Sequence, residues 1–481
     1  KKKTKIESLQ LKSVWNISNL SNIEHKKLHS FFWLFSLDLK SSKSLTQSIL
    51  LEWMEHNNKF NQKTWDRNIL SKRIIAWITN AQLSYDGSAI EYKQKFNQII
   101  LKQANHLIND VNKSKIIEDK IICCTAIILT GLAYNEKEKF LDFGLNLLKK
   151  IISSVFDKNC FPRTRNISQL NFYLKYLILI REFLKESHND IPEYLDEIIF
   201  YLGQNYSTLS LNFERSLLFN GSNATSNVEL NNYLVKHGYK FKSNSNETGG
   251  YAILKNKKIS LVMDIGPSPD KKFSQNYQCG ALSFEITSNN KKLISNSGYF
   301  GQKKSKLNLI SRSSATQNTL IIDDKSSCKI NNKTGEIKSG LKILNKAITM
   351  NKDSWKIMGA HDGYNKNYGV IHQREIEFFV KKNIFIGTDK ILQKKNPTNI
   401  NFEIRFHLEP DVKLMKTQDG KSIFIDIENE GWKFTCSNHS IGIETGLYFA
   451  KKNSYTQNQN MFISGMTNLE NPTIKWELTK L

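Results

Sequence analysis

The chain has 481 residues, 39% of them hydrophobic and 24% charged, with 69 Lys+Arg against 45 Asp+Glu and a formal net charge of +24. That length exceeds what one hydrophobic core usually serves, so two domains are expected. The composition is that of a globular chain, not a disordered one, and no apolar run reaches the roughly 18 residues of a membrane-spanning helix.

The opening residues KKKTKIESLQLKSVW are basic but lead into no apolar stretch, so they do not read as a signal peptide. From there the first half reads as helices. Residues 89–111 place Phe96, Ile99, Ile100, Gln103, Leu107 and Val111 on one face at steps of three and four. Residues 118–133 are almost continuously apolar, which predicts a buried helix carrying the adjacent thiols Cys123 and Cys124. Leu141, Gly144, Leu148, Ile151, Ile152 and Val155 repeat the helical stripe over 137–155. Ser168 is placed to cap a helix bearing Leu170, Leu174, Leu177, Ile180 and Leu184. Asp190-Ile191-Pro192 opens another, with Leu195, Ile198, Ile199 and Leu202 on its face. Helices of similar length on short polar links pack as antiparallel pairs, in a bundle, a solenoid or a closed toroid.

Between about residues 210 and 250 the composition turns to Asn, Ser and Gly, as in FNGSNATSNVELNN and FKSNSNETGGY. Beyond it, short alternating segments recur with turn signals between them. Tyr251–Leu254 and Ile259–Ile265 flank KNKK, Leu282–Thr287 and Lys292–Ser295 flank SNNK, and Phe378–Val380 and Ile384–Ile386 flank KKN. Helices followed by strands predict an α-then-β chain: a helical domain over 1–215, a linker over 216–250, and a large antiparallel sandwich over 251–481.

Six cysteines are dispersed with no CxxC pair, which argues against a zinc ribbon or thioredoxin motif. The basic balance attracts polyanions, nucleic acid or acidic polysaccharide. Equally, Lys is scattered among abundant Asn and Ile, as a general compositional bias would leave it. No RNP, helix-turn-helix or zinc-finger pattern accompanies the charge, so nucleic acid is the weakest partner.

Four strings carry a likeness: GGYAILKNKKISLVMDIGPSP, CGALSFEITSNNKKLISNSGYF, RSSATQNTLIIDDKSS and GAHDGYNKNYGVIHQRE, with RFHLEPDV after them and RTRNISQLNFYLKYLILIREFL before. In this order they resemble the heparinase II/III family of polysaccharide lyases. The resemblance implies an α/α-toroid-like helical domain followed by an antiparallel β-sandwich, in a periplasmic or cell-envelope setting. It also implies β-elimination of a uronic-acid-containing polysaccharide. That reaction needs the C5 carboxylate neutralised, a base for the C5 proton and an acid for the leaving O4. Where family members carry a His/Asp/His zinc set, this chain has Gln278, Asn296 and Gln317. Zinc prefers imidazole and carboxylate over neutral amides, so no metal or other cofactor is expected. The three amides instead suit a hydrogen-bonded cluster that holds the same loops.

The matching strings retain His361, Tyr364, His372 and His407 as catalytic candidates, and Arg163, Arg165, Asn166, Arg312, Arg374 and Arg405 as substrate-binding ones. Each has a plainer reading. His361 is an acid/base group or a turn residue bonded to its own backbone or to Asp362. Tyr364 is a proton donor or a strand-edge aromatic, and His372 is catalytic or a satisfied sheet histidine. His407 shares a strand face with Glu403 and Arg405, either lining a groove or facing solvent. Arg163, Arg165 and Asn166 precede a helix start that suits a carboxylate or sulfate, or form a solvated basic turn. Arg312 holds a substrate carboxylate or an internal acid. Asp323 and Asp324 are discounted as a glycosidase pair, because adjacent strand residues point to opposite faces. Four functions follow: a lyase, a glycan-binding relative without the chemistry, a glycoside hydrolase, and a nucleic-acid binder.

Overall fold

The computed structural model describes residues 15, 20–37, 43–210, 216–243, 245–451 and 453–481. The basic opening up to residue 14 and the expected boundary at 215 lie outside them. The described residues form two compact units. One runs up to Val155 and resumes over Tyr173–Ile199; the other takes Phe156–Phe172 and Phe200–Leu481.

The first unit is helical: α1 (Asn22–His29), α2 (Lys43–Asn57), α3 (Arg67–Thr79), α4 (Ala81–Ser84), α5 (Ile90–Asp110), α6 (Ile117–Ala133) and α7 (Phe143–Val155), with parts of α8 (Ser168–Glu186) and α9 (Glu193–Leu209). The stripe read on α5 is the buried one, Phe96, Ile99, Ile100, Gln103, Leu107 and then Val111. Helix α6 is apolar all round and is buried from Ile121 to Gly131, packing against α3, α5 and α7. A Cβ on Gly144 of α7 would stand 2.5 Å from Ile128 Cγ1, so glycine sets the α6–α7 approach. Ser168 is the first helical residue of α8, not its cap. Asn166 does that work, its Oδ1 accepting from the Ser168 N–H at 2.9 Å.

The second unit is antiparallel β. One sheet runs β1 (Glu247–Thr248), β2 (Tyr251–Lys255), β3 (Ile259–Asp264), β4 (Phe284–Ser288), β5 (Lys291–Ile294). A small pair joins β7 (Lys329–Ile330) and β8 (Ile337–Ser339). The largest sheet contains β9 (Ile343–Met350), β10 (Ser354–His361), β11 (Val370–Phe379), β12 (Ile384–Gln393), β14 (Lys413–Lys416), β15 (Ser422–Ile427), β16 (Glu430–Cys436) and β19 (Thr473–Lys480). Its order is β14-β15-β16-β19-β12-β11-β10-β9. The last sheet, in the order β17-β18-β13-β6, has β6 (Leu320–Ile322), β13 (Asn401–His407), β17 (Ile441–Tyr448) and β18 (Thr456–Met466). The three large sheets share one core. At its centre Trp476 stacks on Phe284 at 5.5 Å and meets Phe406 edge-on at 5.1 Å, joining a residue from each sheet. Helices α11 (Lys306–Ser311) and α12 (Asn365–Tyr368) lie in the connections.

Two expectations need correction. The 216–250 stretch is more than a linker: it contains α10 (Val228–Lys236) and a fully buried run Leu217–Gly221. The Asn and Ser there satisfy buried backbone, as where Asn227 Nδ2 donates to the Ser210 carbonyl at 2.9 Å. Asp323 and Asp324 are not strand residues. Both have positive φ, 44° and 56°, and turn the chain between Ile322 and Lys325.

Candidate functional site

The β unit carries an unusual density of buried polar side chains where β10, β11, β12 and β13 meet the loops at 276–283, 295–300 and 311–319. The strand alternation explains the placement: β11 buries every second residue, so His372 and Arg374 face inward beside Ile376 and Phe378. The four-residue turn over 380–383 fixes the register that sets Arg374 opposite Asp389.

These residues form a closed relay. The Gly363 N–H donates to His361 Nδ1 at 3.0 Å, so His361 Nε2 carries the hydrogen and faces His372 Nδ1 at 3.3 Å. His372 Nε2 then meets Asp389 Oδ1 at 2.7 Å. Arg374 Nε reaches the same oxygen at 2.8 Å, and the Trp476 indole donates to Oδ2 at 3.0 Å. Arg374 Nη1 also donates to the carbonyls of Leu282 and Asn318. Burial pushes both imidazoles below the ordinary histidine range, and the Arg374 charge adds to it. Asp389 is held well below the usual carboxylate range, because the pull of Arg374 and His372 outweighs its burial. Tyr364 lies beside His361, 1% exposed, with its hydroxyl donating to the Leu320 carbonyl at 2.7 Å; burial raises its pKa.

His407 is differently placed. Ser297 Oγ lies 3.1 Å from its Nδ1, and its backbone N–H donates to Asn318 Oδ1 at 2.5 Å. Asn460 and the Ala315 backbone favour the protonated ring as hydrogen-bond partners, while in the neutral ring Nε2 makes no hydrogen bond. Burial lowers its pKa to about 3, so the ring is neutral near pH 7. Asn318 connects it to Asn296, whose Oδ1 accepts the Asn318 N–H at 2.9 Å while Nδ2 is unpartnered. Thus His407 Nε2 and Asn296 Nδ2 are two unsatisfied polar atoms held on one hydrogen-bonded frame.

The other two amides serve the backbone. Gln278 Nε2 donates to the carbonyls of Gly298 and Ser311, and its Oε1 accepts from the Gly221 N–H at 3.0 Å. Gln317 Nε2 donates to Thr316 Oγ1 at 3.2 Å. Neutral amides engaged in this way do not fit a zinc ion, and among the described residues no three His, Cys, Asp or Glu side chains gather around one point.

The arginine candidates fall into separate places. Arg165 spends its Nε and both terminal nitrogens on the carbonyls of Gly249, Gly250 and Pro267 and on Asp264, which it meets at 2.6 Å. Its φ of 60° and its stacking over Tyr251 complete an internal brace. Asn166 Oδ1 accepts from the hydroxyls of Ser168 and Ser222. Arg163 is half-buried and donates to the Phe156 carbonyl. Arg312, 1% exposed, donates to the carbonyls of Tyr277 and Ser274, not to an acid. Arg405 pairs with Glu403 on its own strand and with Glu444 on β17. Asp389, Asn318 and Ser297 were not singled out in the sequence. The KKN turn comes within one residue of signalling Asp389: counting from it sets position 390 against Arg374, and the observed turn takes in Val380 as well, which brings position 389 there. Asn318 and Ser297 lie in irregular loops that no periodicity marks.

A family model described as "Heparinase II/III-like, C-terminal" matches residues 240–477. Among solved structures, one of heparinase III is similar at 15% identity and a TM-score of 0.74, covering 97% of this chain and 79% of that one. A heparan sulfate lyase HepC mutant from Pedobacter heparinus is similar at 12% identity and a TM-score of 0.70, covering 96% and 77%. A heparinase III gene product with methylated lysines follows at 14% and 0.71, covering 98% and 80%. No curated protein matches by sequence. The structural likeness carries the architecture anticipated above, an α/α-toroid-like helical part followed by an antiparallel β-sandwich.

Proposed function

Because the chain belongs, through residues 240–477, to the heparinase II/III-like family, we propose that it is a polysaccharide lyase that cleaves an acidic, uronic-acid-containing polymer by β-elimination, without a zinc ion. The observation that carries this reading is the pair of unsatisfied buried atoms, His407 Nε2 and Asn296 Nδ2, within the matched region. In this reading His407 is the base. In the tautomer this requires, Ser297 Oγ accepts the Nδ1–H and leaves the Nε2 lone pair for the C5 proton, and the imidazolium so formed returns that proton to the leaving O4 as the C4–O4 bond breaks. Asn296 Nδ2 donates to the substrate carboxylate and stabilises the charge that develops there. A histidine with a pKa near 3 is a weak base. An approaching carboxylate raises that value by favouring the imidazolium, so the substrate itself tunes the group. His361, His372, Arg374 and Tyr364 hold the strand ends beneath, and Arg405 faces the polymer with its acidic partners.

A second reading, a glycan-binding relative without elimination, is favoured by the burial of His361, His372 and Tyr364, each with its polar atoms turned inward. One assay separates the two. The purified protein is incubated with a panel of uronic-acid polysaccharides, with and without chelator, and near-ultraviolet absorbance of the unsaturated product is followed. The lyase reading expects absorbance that survives chelator and falls roughly 10²–10⁴-fold in His407→Ala. New reducing ends without absorbance would mean hydrolysis, and no product from a folded protein that glycan still stabilises would mean binding alone.

A further inference from the structure

Among the buried thiols that the chemistry proposed above leaves unused, two distant in sequence lie together. Cys279 and Cys328 are 1% and 7% exposed and share a small apolar cluster with Tyr277, Ala281, Ile337 and Leu341, separate from the main core. The Cys279 thiol points at the Cys328 carbonyl, Sγ to oxygen 3.6 Å, and the two thiols hydrogen-bond each other. The backbone holds them there: the Cys279 carbonyl accepts from Ser314 Oγ at 2.6 Å and from Ser327 Oγ at 3.3 Å, and the Ser327 N–H donates to Ser314 Oγ at 3.1 Å. One serine bridge therefore ties residue 279 to the residue preceding 328. That proximity of backbones is what a disulfide needs, since its Cα atoms lie about 4.4–6.8 Å apart. By contrast Cys123 and Cys124 are sequence neighbours inside α6, where no such bridge holds a partner to them.

We infer that Cys279 and Cys328 are a disulfide-forming pair, a covalent modification site that staples the loop carrying Gln278 to the segment leading into β7. The cross-link has consequences for the polar layer. Ser327 also packs on the turn after His361, where a Cβ on Gly363 would stand 2.6 Å from the Ser327 carbonyl. The bond would thus fix the loop at 277–281 and the 361–364 turn together.

The oxidant is a small disulfide of the glutathione class. The Cys279 thiolate attacks one sulfur of oxidised glutathione and expels glutathione thiolate. The Cys328 thiol then loses its proton and its sulfur attacks Cys279, expelling the second glutathione. Two protein thiols are oxidised to one disulfide, and one glutathione disulfide is reduced to two thiols.

The test uses the full chain in two arms: folded protein held in excess oxidised glutathione, and protein refolded from urea in the same buffer. Remaining thiols are then blocked with N-ethylmaleimide in denaturant and the peptides mapped by mass. The expected result is a Cys279–Cys328 linked peptide in at least one arm, with Cys123, Cys124 and Cys436 blocked. The linked form also melts several degrees higher than the reduced one, because the bond closes a loop of about 50 residues in the unfolded chain. The half-buried Cys160 is the internal control: if it takes up glutathione while both Cys279 and Cys328 are blocked with maleimide in both arms, the inference is overturned. Cys328→Ser is expected to leave Cys279 blocked or glutathionylated. A link from Cys279 to any other cysteine, in the variant or the parent, also overturns it.

Discussion

Asp389 has three buried donors around its carboxylate, and the balance among them decides what a substitution does. Its two oxygens receive His372, Arg374 and Trp476, all fully buried. Removing the charge leaves the Arg374 guanidinium, which stays protonated, alone in the interior. Asp389→Asn is therefore expected to destabilise the β unit by about 3–5 kcal/mol, read as a lowered urea midpoint with an unchanged slope. Two buried histidines away from that carboxylate predict a pH dependence. His407 and His29 have folded pKa values pushed down to about 3 by burial, against 6.5 for the free side chain. A histidine with a lowered folded pKa stabilises fully above 6.5, and the stability is lost as the pH falls towards 3, because the unfolded chain binds the proton first. Each contributes a slope of up to roughly 1.4 kcal/mol per pH unit in that window. Thermal midpoints should fall as pH drops below about 6.5, and His407→Gln should flatten part of that fall. An equal slope in parent and variant would show that His407 is not held neutral.

At the scale of elements, the paired strands β12 and β19 show how glycine makes room for a cross-strand indole. A Cβ on Gly387 would stand 2.0 Å from Trp476 Cε2, so glycine lets the indole lie flat across β12 and reach Asp389. Gly387→Ala should cost about 3 kcal/mol through overpacking and weaken the Trp476–Asp389 bond, visible as a shift in tryptophan emission as well as in the melting temperature. How far such features were legible depends on how local their cause is. The α5 stripe, the apolar α6 and the hairpins at KNKK, SNNK and KKN follow from periodicity and turn residues a few positions apart, and they form, with the SNNK turn closing on Asn289 and Asn290 alone and the KKN turn taking in Val380. The β11–β12 register likewise follows from one short turn. The partner of Arg165 is Asp264, 99 positions away, and no spacing predicts it. Ser168 reads as a cap because serine often caps, but it is already helical, and Asn166 two positions earlier accepts the Ser168 N–H. The helix within 216–250 was hidden by Asn and Ser that look like linker residues until their buried acceptors are seen.

Over the whole molecule the excess of 24 positive charges acts on any polyanion before a specific contact forms. Lysines such as Lys95 and Lys346 are exposed and paired with single carboxylates, and surface pairs of this kind contribute little individually. Attraction and chemistry should therefore separate. Raising ionic strength from 0.1 M to 1 M shortens the screening length from about 10 Å to about 3 Å, so retention on an acidic polysaccharide column should collapse over that range. A single exposed Lys→Gln change should move the elution point only slightly. His407→Ala, which removes a buried neutral group and no charge, should elute with the parent at every salt concentration while losing turnover. If His407→Ala instead shifted the elution point, the ring would be part of the ground-state binding surface and not a group acting on the C5 proton. A parent protein that resisted 1 M salt would place the polymer in a desolvated cleft, where short-range contacts and not the diffuse field set the affinity.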